Sequence, residues 1–528
     1  MIFYPLLRTF AAVILVMLMI FPAEAQESLA YQSPDPVIQS LIDAPPTPRA
    51  NLSPDGQWML LASLPALPGI EEVAQDELRL AGLRIQPRTN GSSRSGHYNG
   101  FSLKQIETGK DFQISGLPKG GKFENLSWSP DGKFFAFTNT DPDNIGLWIV
   151  SMKFRIAKPI TGIQINDAMR GNPYTWMGNS GKLIVKALVE NRSDSPKETF
   201  IPNGPTIQSN DGEKAPVRTY QDLLKNQHDI DLFDYYTAAR LVKVDAASST
   251  VEPFLGEGIY SSLSSSPDGQ LLMTTSLEKP YSYLVPYSRF PQSIDVYNQD
   301  GKLVKNIAKI ALAENIPKGF GATRKGPRSF SWQGNKEAVI SYVEALDGGD
   351  PKSEAEFRDQ VFLWEAPFDS KPTAGPKTSL RYGGINWGKD DFAIIYEWWW
   401  TDRREVTSVW NPEDPGMEKK VLFDRSWEDS YNDPGNFRTK RNEFGRYVLH
   451  FDKGGKLFMT GQGASPEGNR PFLDKYDPAT GESERLWRSE APYYEAVSYL
   501  LDVENGKVLT RRESEEEPPN YFIRDLNK

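Results

Sequence analysis

Apolar residues in this chain come in short runs, and a polar turn precedes several of them. Ser53-Pro54-Asp55-Gly56 recurs as Ser129-Pro130-Asp131-Gly132 and as Ser266-Pro267-Asp268-Gly269. Each leads into a strand-like stretch: Trp58 to Ala62, Phe134 to Phe137, Leu271 to Thr275. The tetrapeptide reverses a chain for local reasons. Proline presets φ, aspartate bonds its own backbone, and glycine accepts positive φ. Looser copies carry tryptophan ahead of the turn: Leu126-Ser127-Trp128, Thr175-Trp176 before Gly178-Asn179, Ser331-Trp332 before Gly334-Asn335, and Asn386-Trp387 before Gly388. Phe444-Gly445-Arg446-Tyr447-Val448-Leu449 reads as a later copy without tryptophan.

These anchors recur at roughly 50 to 75 residues, widening to about 90 between Trp176 and Ser266, which suits a four-stranded propeller blade with loop insertions. A solenoid or a sandwich would not repeat one hairpin at that interval. The expected fold is therefore all-β: a β-propeller of about seven four-stranded blades with short helical insertions. Eight is the alternative count, because the segment from Tyr499 to Leu526 either closes a blade or leads out. Three insertions interrupt the pattern. Glu71 to Leu83 has near-helical apolar spacing and runs into a basic, Gly/Ser-rich loop from Arg84 to Tyr98. Tyr220 to Leu241 has helical character, with Leu223, Leu224, Leu232, Phe233 and Tyr236 on hand to cover a neighbouring surface. Asp347-Gly348-Gly349-Asp350-Pro351-Lys352 opens a charged loop leading to Arg358. In propellers such excursions gather on one face and do the binding.

The first 25 residues read as a leader rather than as fold. Arg8 precedes an unbroken apolar run from Phe10 to Phe21, and Ala23-Glu24-Ala25 fits a small-x-small cleavage site before Gln26. The run is too short for a comfortable transmembrane helix, which needs about 20 residues. The expectation is export to a periplasm or the exterior, with residues 26–50 leading into a propeller over 51–528. The formal charge of -10 argues against nucleic acid or an anionic membrane as partner. With no cysteine, there is no disulfide, thiolate zinc site or cysteine nucleophile.

Catalytic signatures are missing. The chain has no Gly-x-Ser-x-Gly, no His-Glu-x-x-His and no complete phosphate-cradling Gly-x-x-x-x-Gly-Lys-Ser/Thr, and no cofactor or metal is expected. Its three histidines stand apart from any serine-and-acid constellation. His97 and His228 read as exposed structural residues, and His450 as a strand position. Asp141-Pro142-Asp143-Asn144 reads as a turn before it reads as a calcium loop. In Trp398-Trp399-Trp400, strand alternation would bury the outer two rings and expose one.

Several long strings carry a resemblance to the N-terminal part of the prolyl oligopeptidase family, in particular its glutamyl endopeptidase branch. They include Glu77-Leu78-Arg79-Leu80-Ala81-Gly82-Leu83-Arg84-Ile85 with Pro87-Arg88-Thr89-Asn90-Gly91, and Arg218 to Asn226 leading into Phe233-Asp234-Tyr235-Tyr236. Others are Tyr283-Leu284-Val285-Pro286 through Ser288-Arg289-Phe290-Pro291, Glu344 to Lys352, Gly463-Ala464-Ser465-Pro466-Glu467-Gly468, and Thr510 to Ser514 with Pro518-Pro519-Asn520-Tyr521-Phe522. The resemblance implies a propeller that caps an α/β-hydrolase domain and admits peptides to a serine, histidine and acid between the two. The sequence reaches Lys528 without those residues, so no triad position carries over. What is expected is the substrate-gating part of an exported serine peptidase, catalytically incomplete as written and dependent on a hydrolase domain in cis or in trans. A stand-alone peptide- or protein-binding propeller is the alternative. A glutamate side chain bound in such a cavity needs a cation, for which a desolvated arginine is best suited. The candidates are Arg289, Arg84 and Arg88, each in a family-like string or inserted loop.

Overall fold

The computed structural model describes residues 33–178, 181–198 and 220–527. The leader, Asn179 of one turn copy and the Arg218-Thr219 pair lie outside the described residues. The chain divides into two compact units, Met1–Pro46 and Thr47–Lys528. In the first, Asp35 caps the helix Pro36–Ile42 by accepting from the Val37 N–H at 2.9 Å.

The second unit is a ring of antiparallel sheets, each laid down from an innermost strand outward. Blade 1 comprises Arg49–Leu52, Trp58–Ser63, Gly100–Gln105 and Asp111–Phe112, and blade 2 comprises Phe123–Trp128, Phe134–Thr140, Ile145–Ser151 and Ile156–Pro159. Blade 3 runs from Tyr174–Trp176 to Val251–Gly258, blade 4 from Tyr260–Ser265 to Leu303–Ile310, and blade 5 from Pro327–Trp332 to Thr373–Thr378. Blade 6 runs from Arg381–Trp387 to Lys420–Ser426, and blade 7 from Asn436–Phe437 to Ser483–Arg488. An eighth sheet has three strands: Tyr494–Asp502, Lys507–Glu513 and Asn520–Asp525. The segment from Tyr499 onward therefore belongs to a further sheet.

The repeated turn folds the same way three times. Asp55, Asp131 and Asp268 each accept from the Ser of their own tetrapeptide and from the N–H two residues on, at 3.0, 3.1 and 3.0 Å. The serine Oγ in turn accepts from the first N–H of the next strand, and the glycine sits at φ +67°, +69° and +73°. The tryptophans ahead of the turns reach backward. Trp128 donates to Asn51, Trp176 to Ser127 and Trp332 to Ser264 O, each on the innermost strand of the preceding blade.

Apolar side chains fill the seams. Leu103 and Phe135 pack between blades 1 and 2, Ile184 and Leu272 between 3 and 4, and Phe458 and Val508 between 7 and 8. The seam between blades 8 and 1 is polar. Thr47 donates to Pro519 O at 3.0 Å, the Ala50 N–H donates to the Tyr521 hydroxyl, and the Tyr499 hydroxyl donates to Ala50 O.

Strand order fixes which loops share a face. Connections between first and second strands, and between third and fourth, lie on one side; those between second and third strands, and from blade to blade, lie on the other. The Ser-Pro-Asp-Gly turns all fall on the first, tight-turn face. Residues 64–99, 188–198 with 220–238, 278–291, 311–326 and 346–358 all fall on the second, here the insertion face.

Several local expectations are corrected. Glu71 to Leu83 is not a helix: after one turn at Ile70–Val73 it becomes a hairpin, Leu78–Leu80 with Leu83–Gln86, extended by Gly91–Ser92. Ala81 and Gly82, at φ +52° and +84°, make the two-residue turn that breaks the helical spacing. Arg84 to Gln86 are accordingly strand, not loop. The charged Asp347 loop is pinned at its start: Asp347 bridges Arg358 and Arg381 at 3.0 and 2.7 Å, and Arg381 also reaches the fully buried Asp359. Phe444 to Leu449 is no blade turn but half of an extra hairpin in blade 7, whose reversal comes later, at residues 452–456. The strand ends at Trp399, so Trp400 is the exposed ring and stacks on Phe320 rather than alternating. His97 is not exposed; its side chain is 10% accessible, 3.8 Å from Glu72.

Candidate functional site

The insertions build a second core of their own. Leu80, Leu83 and Ile85 from the blade 1 hairpin meet Leu232, Phe233 and Tyr236 from the helix Gln227–Thr237, with Val285 and Phe290 from the blade 4 insertion. The helix is specified locally at its start and non-locally at its end. Asn226 accepts from the Asp229 N–H at 2.8 Å, a standard N-cap. At the other end, Asn90 and Asn166 donate to Tyr236 O at 2.7 and 3.0 Å, and Arg192 donates to Tyr235 O while stacking on the Tyr235 ring. Side chains from three separate segments thus satisfy the carbonyls that a helix terminus leaves open. The result is a fixed canopy over part of the insertion face.

Three clefts open around this canopy. A cleft of 530 Å³ lies between the hairpin, Tyr220 to Asp222 and Pro286 to Ser288, with Arg84 and Arg170 in its wall. Arg84 donates to Asp222 at 2.8 Å, and that bond with the adjacent carboxylate holds the guanidinium firmly charged. A second cleft, of 710 Å³, is lined by Arg88, His97, Glu124 and Asp167. Arg88 meets the exposed Asp143 at 2.6 Å. Asp167 takes a hydrogen bond from Asn125 at 2.7 Å, yet burial pushes its carboxyl up to about 7. Glu124 is raised for the same reason, and burial lowers the neighbouring Lys186 to about 8.

The third cleft, of 700 Å³, lies within residues 309–327 and is lined by Lys309, Arg324 and Lys325 with Glu314. Arg289 closes the short 3-10 turn Tyr287–Arg289, whose first residues line the first cleft. Arg324 donates to Ser288 O at 2.9 Å, and its pKa is lowered by burial and by the neighbouring positive charge of Arg289. The Arg324 guanidinium is thus half-buried with a second positive charge in its neighbourhood, a setting that favours a bound anion.

The three arginines singled out in the sequence do not converge on one point. Arg84 and the turn bearing Arg289 border the first cleft, and Arg88 faces the second. Sequence reading missed Arg170 and Arg324. The only signal for Arg324 was its place in Thr323-Arg324-Lys325, a short basic stretch with no motif around it.

No family model matches the chain. Two curated proteins do. A probable chloroplastic glutamyl endopeptidase of Arabidopsis thaliana is 36% identical over 526 residues, covering 93% of this chain and 54% of that protein. One of Oryza sativa subsp. japonica is 36% identical over 524 residues, with 94% and 55% covered. The chain therefore spans about half the length of the curated relatives it matches. Among solved structures, a prolyl endopeptidase aligns at TM-score 0.42 and 11% identity over 90% of this chain and 55% of that one. The β-propeller domain of the Trilobed protease from Pyrococcus furiosus aligns at TM-score 0.36 and 11% identity, over 77% and 99%. Among the described residues, no helix is long and apolar enough to cross a membrane.

Proposed function

We propose that this chain is the propeller part of an exported glutamyl endopeptidase-like serine peptidase. It admits peptide and holds a substrate glutamate for an α/β-hydrolase domain supplied in cis or in trans. The observation that carries this reading is the 36% identity to probable glutamyl endopeptidases along nearly the whole chain. No catalytic role is assigned to its own residues. The insertion face receives the peptide, and Arg289 with Arg324, beside the turn that borders the first cleft, takes the glutamate carboxylate.

The test is binding of a matched pair of short peptides, one with glutamate and one with glutamine at the same position, to the full chain. A charge-assisted contact of about 1.5–3 kcal/mol gives roughly tenfold to a hundredfold preference for glutamate, lost in Arg324→Ala and in Arg289→Ala. Equal affinity for both peptides would overturn the carboxylate assignment. The leader reading is checked separately by N-terminal sequencing of the mature protein, expected to start near Gln26.

A further inference from the structure

One connection on the tight-turn face is unlike the rest. Between the first and second strands of blade 7 the chain sends out a hairpin, Thr439–Arg441 paired with Tyr447–Leu449. Its tip, residues 442–446, leaves its own blade. Arg446 donates through one nitrogen to Ser265 O, to Ser265 Oγ at 2.9 Å and to Ser266 O at 3.2 Å, at the turn of blade 4. The Asn442 side chain donates to Gly334 O at 2.9 Å, in the turn of blade 5. Gly445, at φ +70°, lies so close to the blade 2 turn that a Cβ there would stand 2.5 Å from Pro130 Cβ.

Blades 2 and 4 lie on opposite sides of blade 7 in the ring, three places away through 8 and 1 or through 6 and 5. A short tip that touches both must sit on the propeller axis. It is also built to hold its shape. Asn442 accepts from the N–H groups of Phe444 and Arg446 at 3.2 and 2.9 Å, and Arg441 donates to Gly445 O at 2.8 Å.

We infer that this hairpin stoppers the axial tunnel at its tight-turn mouth, with Arg446 as the latch. The lumen is then a blind pocket reached from the insertion face. Taking the ligand to be a peptide, which rests on the reading above, such a pocket receives a peptide end and refuses any chain that would have to pass through.

The absence of cysteine makes the test clean. Ser262 is exposed on the innermost strand of blade 4, the strand nearest the axis. In the full chain carrying Ser262→Cys, a small maleimide is expected to react readily and a polyethylene glycol maleimide slowly. Adding Arg446→Ala should speed the bulky reagent on the order of tenfold, as a local opening would. An unchanged bulky rate in a folded variant overturns the stopper. A second measurement replaces the latch's hydrogen bonds with a covalent link at the same place. The Gly334 Cβ position lies 3.5 Å from Arg446 Cβ, inside the span a disulfide bridges. Gly334→Cys with Arg446→Cys should therefore crosslink on mild oxidation. Failure to crosslink in the folded chain removes the tip from the axis. Neither readout involves a peptide, so failure here leaves the glutamate reading standing, and failure of glutamate binding leaves the stopper standing.

Discussion

The tight-turn face and the insertion face arise from the same repeat but are held together by different physics. On the tight-turn face, each Ser-Pro-Asp-Gly reversal is a closed local circuit: Asp268 bonds Ser266 and the Gln270 N–H, and Ser266 bonds the Leu271 N–H. Nothing beyond six consecutive residues is required, and the solution is used again at Asp55 and Asp131. On the insertion face, hardly any contact is local. Phe233 is buried against Phe290, and the helix that carries it ends on side chains from residues 90, 166 and 192. A local circuit can be copied from blade to blade. A canopy made of distant segments can be varied without disturbing the ring, which is why the clefts and the arginines lie there.

The largest expected effect is on the canopy. Phe233→Ala removes a fully buried ring from that core and should destabilise it by about 3–5 kcal/mol, in the range for a large-to-small core change. In denaturant, the canopy is expected to melt ahead of the blades, monitored by tryptic susceptibility of residues 64–99 against loss of far-ultraviolet strand signal. Simultaneous loss of both would mean that canopy and ring form one cooperative unit. On the opposite face, Asp268→Ala breaks two hydrogen bonds of one turn and should cost only about 1–2 kcal/mol. Because the other copies keep their own circuits, that loss should add to the loss from Asp131→Ala. A strongly non-additive double variant would show that the turns are coupled through the ring.

The smallest effect is a change of slope. Asp167 keeps its proton to about 7, whereas in the unfolded chain it loses it near 3.8. Between those values the native state binds the extra proton, so this group makes stability fall as pH rises from about 4 to 7. Asp167→Asn cannot ionise and should flatten that part of the pH profile, measured as unfolding midpoints from pH 4 to 8. A profile identical to that of the parent chain would place the carboxyl in a wetter site than its burial indicates.

Much of this architecture is legible in the sequence. The Ser-Pro-Asp-Gly repeat announced strand reversals, its spacing announced blades, and the apolar positions between Tyr220 and Leu241 announced a helix. Ala81-Gly82 shows where that reading fails. The apolar spacing on either side was helical, but two residues of positive φ turned it into a hairpin, a backbone fact that periodicity does not carry. The extra hairpin in blade 7 misled for the opposite reason: Phe444-Gly445-Arg446 looks like a blade turn because it is a turn, and only its partners reveal another task.

By itself, the sequence determined whatever could be decided within a few residues: the turns, the alternation, the N-cap at Asn226 and the repeat that makes a propeller. Tertiary structure alone decided which distant residues meet. Arg84 finds Asp222 across 138 positions, and Arg446 finds Ser265 across 181. Such pairings are specified by no local preference. They follow from the closure of a ring, which brings the ends of all its innermost strands to one axis and all its long loops to one face.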